Sequence, residues 1–168
     1  VSTTKKHLTL DLDFDIELDF VLIGISSPLR DYRLCHFLYK HAGLAFERGK
    51  EDYVDHKGYA KEKERDEMDY HIVYEKNKQK KLLKHYFTIF RYCDNNFEFE
   101  FYIISNRSLE GIFLLPELPN FDYFLIIKHY LDRDDLRTLL TEIKDINEVI
   151  LAKKLDPASL KSKENLIF

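Results

Sequence analysis

The sequence predicts an α+β sandwich: a mainly antiparallel sheet with two helices, β-α-β units at both ends, and a β-meander between them. Three observations carry this expectation. Residues 20–25, Phe-Val-Leu-Ile-Gly-Ile, are an apolar run of strand length. Two stretches repeat apolar side chains at helical spacing: Leu34, Cys35, Leu38 and Ala42, then Leu136, Leu139, Leu140, Ile143 and Ile146. Between them, aromatic residues recur at alternate positions, as strands require. The 168 residues suit one domain over 1–168. With 45% hydrophobic and 33% charged residues, the chain as a whole is not disordered. Five Gly and four Pro exclude collagen-like and low-complexity classes.

Residues 8–20 alternate strictly, with Leu8, Leu10, Leu12, Phe14, Ile16, Leu18 and Phe20 on one side. Asp11, Asp13, Asp15, Glu17 and Asp19 share the other, where repulsion favours two strands with a break over one long strand. The run 20–25 lacks a polar face, so a central strand covered on both sides is expected. Ser27 fits an N-cap and Pro28 a first helical position. Gly43 suits a left-handed C-terminal cap. Residues 44–48 read as a returning strand, and 49–69 as a mobile charged loop. Strands follow at 70–75, 84–93 and 97–105, the last two joined by Asp94-Asn95-Asn96. Pro116 and Pro119 interrupt pairing, having no N–H to donate. Residues 121–129 resume as a strand. Asp132 or Asp134 caps the second helix, whose acidic first turn suits the helix dipole. Asn147 ends it, 149–155 is a strand, and 157–168 is a C-terminal tail packing on the domain. Right-handed crossovers can put both helices on one face, giving an elaborated ferredoxin-like sandwich. By element order alone, an ACT-like domain is the nearest functional analogue.

The net charge of −4 disfavours a general nucleic-acid binder, whose affinity comes from neutralising phosphates. No run reaches the ~18 apolar residues that span a bilayer. The first residues, Val1 to Lys6, lack a signal-peptide core, and Cys35 and Cys93 make no metal or redox motif. The expectation is reduced thiols, a cytoplasmic location, and no cofactor, metal site or membrane partner.

Several groups could carry chemistry. The stretch Gly24-Ile25-Ser26-Ser27-Pro28 joins a strand to a helix, and its amides, the hydroxyls of Ser26 and Ser27, and Arg30 could hold a carboxylate or phosphate. A capped helix after a strand explains the same residues. The acidic ladder 11–19 could bind a hard cation, but lacks the glycine and terminal glutamate of a calcium loop, and a solvated face accounts for it. A helix start accounts for Asp132, Asp134 and Asp135. The histidines at 7, 36, 41, 56, 71, 85 and 129 fall in no ligand spacing. Lys76, Lys78, Lys80, Lys81 and Lys84, followed by Tyr86, Phe87 and Phe90, suggest a stacking platform for single-stranded nucleic acid, or simply a solvated hairpin.

The stretch Leu115-Pro116-Glu117-Leu118-Pro119-Asn120-Phe121-Asp122-Tyr123 resembles the signature of the IPExxxVDY family. Pro116, Glu117, Asp122 and Tyr123 match it, while Leu115 stands for the family's Ile and Phe121 for its Val. The ending Leu160 to Phe168 and the run Asp31-Tyr32-Arg33-Leu34 are similar to that family too. The resemblance implies a small bacterial cytosolic protein and implies no activity. Physically, Asp122 can accept amide hydrogen bonds from the preceding turn, and Tyr123 can bury its ring while its hydroxyl finds a partner. The expected function is a non-enzymatic binding or regulatory module for a small anionic ligand or a protein partner, of open oligomeric state. The alternatives are an RNA-associated protein using Lys76–Lys84, or an enzyme with acid–base groups from Glu117, Asp122 or a histidine.

Overall fold

The computed structural model describes residues 19–49, 69–94 and 99–167. Its strands are β1 (Val21–Ser26), β2 (Tyr70–Lys76), β3 (Leu82–Asp94), β4 (Phe99–Ser105), β5 (Tyr123–Ile127) and β6 (Leu151–Leu155). Helix α1 spans Asp31–Ala42 and α2 spans Arg133–Lys144, and two short 3-10 turns, Pro157–Ser159 and Lys163–Leu166, close the chain. The acidic ladder at 11–18 and the charged stretch 50–68 lie outside the described residues, as do Asn95 and Asn96.

The strands form one sheet in the order β2-β3-β4-β5-β1-β6, with every neighbouring pair antiparallel. Strands β5 and β6, joined through α2, are therefore parallel and flank β1. Strands β1 and β4 are likewise parallel and flank β5. This is the split β-α-β arrangement of a ferredoxin-like sandwich. The β2–β3 hairpin is inserted between α1 and β4 and extends the sheet beyond β4.

Alternating side chains explain the two cores. Ile23, Ile25, Ile103, Leu125 and Ile127 face Leu34 and Leu38 of α1 and Leu139 and Ile143 of α2. Both helices thus cover one face. Leu22, Phe87, Ile104, Phe124 and Ile126 face Leu114, Leu115 and Phe121, and the C-terminal Leu160 and Leu166. The tail is therefore a covering layer, and the central strands are apolar on both sides because both sides are covered.

Several boundaries differ from expectation. Helix α1 begins at Asp31 with Arg30 as N-cap, so Ser27 and Pro28 belong to a loop before it. The Ser27 hydroxyl is engaged elsewhere, as described below, and cannot cap a helix four residues on. Gly43 does close α1, at φ 70°, with its N–H on Tyr39 O. Residues 44–48 form no strand, only one bridge from Glu47 to Arg91. The Phe46 N–H turns back onto Leu44 O at 3.1 Å, while Leu44 and Phe46 pack into the helix-side core. Asp132 caps α2 by accepting from the Asp135 N–H at 2.8 Å, and the helix ends at Lys144, before Asn147. Among the described residues, no helix is long and apolar enough to cross a membrane.

Candidate functional site

The sheet order decides where the loops meet. Strand β5 starts between the ends of β1 and β4, at the same edge of the sheet. Three segments remote in sequence therefore converge: 27–30 after β1, 105–107 at the end of β4, and 119–123 leading into β5. They line an open cleft of about 340 Å³, within the usual range for small-molecule sites.

Hydrogen bonds hold these walls together. Asp122 Oδ2 accepts from the Ser27 N–H at 2.8 Å, and the Asp122 N–H donates to Ile25 O at 2.9 Å. The Ser27 hydroxyl donates to Glu148 O at 2.9 Å and accepts from the Leu29 N–H at 3.2 Å. Ser26 Oγ donates to Asn120 O. The Tyr123 hydroxyl donates to Leu29 O at 2.6 Å. Its burial, with Asp31 and Asp122 nearby, pushes the phenol pKa up, so it stays a donor at neutral pH. Gly24 lies inside β1, not in the turn, and a Cβ there would stand 2.6 Å from the Phe121 ring. The two serine hydroxyls expected to grip a ligand are thus committed to the backbone.

Sequence reasoning missed Asn106. This buried side chain donates to Leu118 O at 2.9 Å and Phe121 O at 2.8 Å, and accepts from the Leu115 N–H at 2.9 Å. It holds the 115–121 loop in place, and Pro119 and Phe121 of that loop line the cleft. It also missed Arg107, whose guanidinium carbon sits 4.6 Å from the centre of the Phe113 ring. The available signal was the polar run Ser105-Asn106-Arg107-Ser108 closing an apolar strand. Arg30 and Arg107 both line the cleft and are exposed, and neither forms an ion pair among the described residues.

The Pro116–Tyr123 signature divides between two tasks. Asp122 and Tyr123 build the cleft, whereas Glu117 lies outside it and accepts from the Ser162 N–H at 2.8 Å, holding the tail. Partial burial opposes ionisation of Glu117, but amide hydrogen bonds led by Ser162 outweigh it and hold its pKa below the ordinary value. Glu117 and Asp122 do not converge as an acid–base pair.

The lysine run occupies the exposed tip of the β2–β3 hairpin, where Asn77 Oδ1 accepts from the Gln79 and Lys81 N–H groups. Tyr74 pairs with Lys84 and Ile72 with Tyr86 across the strands. Phe87 and Phe90 are buried on opposite faces of the sheet, so neither can stack on a base. His71 is buried, with its Nε2 2.6 Å from Asn165 O, and His85 Nε2 lies 3.0 Å from Glu75 Oε2. His129 sets its ring on Phe99 at 4.3 Å. Among the described residues, no three His, Cys, Asp or Glu side chains form a metal-sized cluster.

No protein-family model, curated protein or solved structure matches the chain.

Proposed function

We propose that the chain is a non-enzymatic binding or regulatory module whose cleft takes a small anionic ligand. One observation supports this above the others. Arg30 and Arg107, 77 residues apart in sequence, line the same cleft without an ion-pair partner among the described residues. Guanidinium groups are well suited to carboxylates and phosphates, which they can meet with two parallel hydrogen bonds. The separation of Glu117 from Asp122 weighs against the enzyme reading. Titration calorimetry and thermal unfolding with phosphate, citrate and short dicarboxylates test the site. Binding by at least one anion is expected, with Arg30→Ala and Arg107→Ala each weakening it about tenfold or more. Binding that is unchanged in both variants would overturn the assignment.

We also infer that the chain is an IPExxxVDY protein of the bacterial cytoplasm. Support comes from Pro116, Glu117, Asp122 and Tyr123 and from the ending that begins at Leu160.

A second reading, RNA association through the β2–β3 hairpin, draws support from the strand register. Tyr74, Lys76, Lys84 and Tyr86 share one face, and the Lys84 ammonium lies 5.8 Å from the centre of the Tyr74 ring. The net charge of −4 counts against it. Binding of single-stranded RNA that falls steeply with salt and is lost on Lys80→Glu with Lys81→Glu would favour it. Absence of binding at low salt would remove it.

A further inference from the structure

We infer that the ligand of this cleft is an acidic α-amino acid, a molecule with two carboxylates and one ammonium group. The inference rests on the anion-binding reading above and goes further, because the cleft is not uniformly positive. Strand order sets Asp122 between its two cationic walls: Arg30 follows β1, Arg107 follows β4, and β5 begins between them just after Asp122. Neighbouring strands lie about 4.8 Å apart, so the ends of β1 and β4 are about 10 Å apart at the backbone. The lining therefore carries two positive groups at its sides and one negative group, the exposed Asp122 carboxylate, between them.

Only one Asp122 oxygen is used by the protein, as acceptor for the Ser27 N–H. The other, Oδ1, has no hydrogen-bond donor among the described residues. A purely anionic ligand bound to both arginines would bring its charge against this carboxylate. An ammonium group at that point turns the repulsion into a charge-assisted hydrogen bond. A ligand of net charge −1, with its carboxylates directed to Arg30 and Arg107 and its ammonium to Asp122, complements the lining group for group.

The neutral polar groups reinforce this. The Ser27 and Tyr123 hydroxyls and the Asn106 amide are spent on the protein's own backbone. Selection must then come from charge pattern more than from neutral hydrogen bonding. Phe113, beneath the Arg107 guanidinium, restrains that side chain before ligand arrives.

Calorimetry on the full chain with L-glutamate, L-aspartate, glutarate, L-glutamine and N-acetyl-L-glutamate tests the proposal, with phosphate and citrate alongside. Glutamate or aspartate should bind at least tenfold more tightly than glutarate, glutamine or the N-acetyl compound. Asp122→Asn keeps an oxygen for the Ser27 N–H while removing the charge, and should abolish the preference over glutarate. If glutarate binds as tightly as glutamate to the unaltered protein, the ammonium contact with Asp122 falls, and if glutamine does, the second carboxylate contact falls. Either result overturns the acidic amino-acid assignment, while the anion site stands if phosphate, citrate or glutarate still binds and Arg30→Ala or Arg107→Ala weakens it. If no probe binds, phosphate and citrate included, both fall. Should Asp122→Asn fail to fold, the ligand series on the unaltered protein still decides.

Discussion

The carboxylate of Asp122 accepts the Ser27 N–H at 2.8 Å, joining residues 95 apart in sequence. This contact ties the loop after β1 to the entry of β5 and sets the relative position of two cleft walls. Asp122→Ala leaves a partly buried amide without its acceptor and should cost about 1–3 kcal/mol. Asp122→Asn should recover most of that. Chemical denaturation of the two variants beside the unaltered protein makes the comparison, and equal losses would remove the contact from the account.

Asn106 should be the most sensitive polar residue of the site. Its truncation to alanine leaves the Phe121 carbonyl and the Leu115 N–H unmet in a buried setting, while Leu118 O keeps the Phe121 N–H at 3.3 Å. At about 1–3 kcal/mol for each such group, Asn106→Ala should lose about 2 kcal/mol or more. Amide exchange should show the 114–121 loop opening first. A variant with near-normal stability would mean that water replaces the amide at little cost.

Gly24 carries a different constraint. Its backbone has an ordinary strand conformation, yet the Phe121 ring occupies the space of a side chain. Gly24→Ala should therefore destabilise by about 1–3 kcal/mol through overpacking. The double variant Gly24→Ala with Phe121→Leu should lose less than the sum of the two single changes, because each relieves the other's contact. Strict additivity in denaturation experiments would argue against the clash.

Docking of the C-terminal tail should be acid-sensitive. Glu117 titrates below its usual value of 4.5 in the folded protein, so the fold binds fewer protons there than the unfolded chain. Its contribution is complete above about pH 4.5 and is lost as pH falls through the lowered folded value. Amide exchange at Leu160 and Leu166 should rise in that acid range. In Glu117→Gln this part of the pH dependence should vanish, leaving only that of other groups.

The two cysteines should differ sharply in reactivity. Burial, with a smaller contribution from Asp31, pushes the Cys35 thiol up to about 12, whereas Cys93 is exposed. Since the thiolate is the reactive form, a thiol reagent at about pH 8 should label Cys93 and spare Cys35 until the protein unfolds. Cys93→Ser should abolish the fast labelling phase. Rapid modification of Cys35 in the folded protein would show that α1 opens readily.

Local patterning determined most of the elements by itself. The apolar run at 20–25 became β1 because it had no polar face to turn outward. Leu34 and Leu38 bury one stripe of α1, and Leu139 and Ile143 bury one stripe of α2. Asp132 and Gly43 end their helices through bonds made within a few residues, and such short-range chemistry is readable along the chain. The same reasoning failed at Ser27. Its side chain suits a cap, but Glu148, 121 residues away, takes the hydroxyl hydrogen bond instead.

Tertiary structure alone decided the cleft. The sequence offered Arg30 as an anion-binding candidate but gave no reason to join it to Arg107, until the order β4-β5-β1 brought their loops to either side of Asp122. The 115–121 loop, folded around Asn106, also separates Glu117 from Asp122, so that one holds the tail and the other lines the cleft. Periodicity specifies which face of each strand is buried, because burial acts on every residue in turn. It does not specify which strand lies beside which, because that depends on hydrogen bonds and packing between segments far apart in the chain.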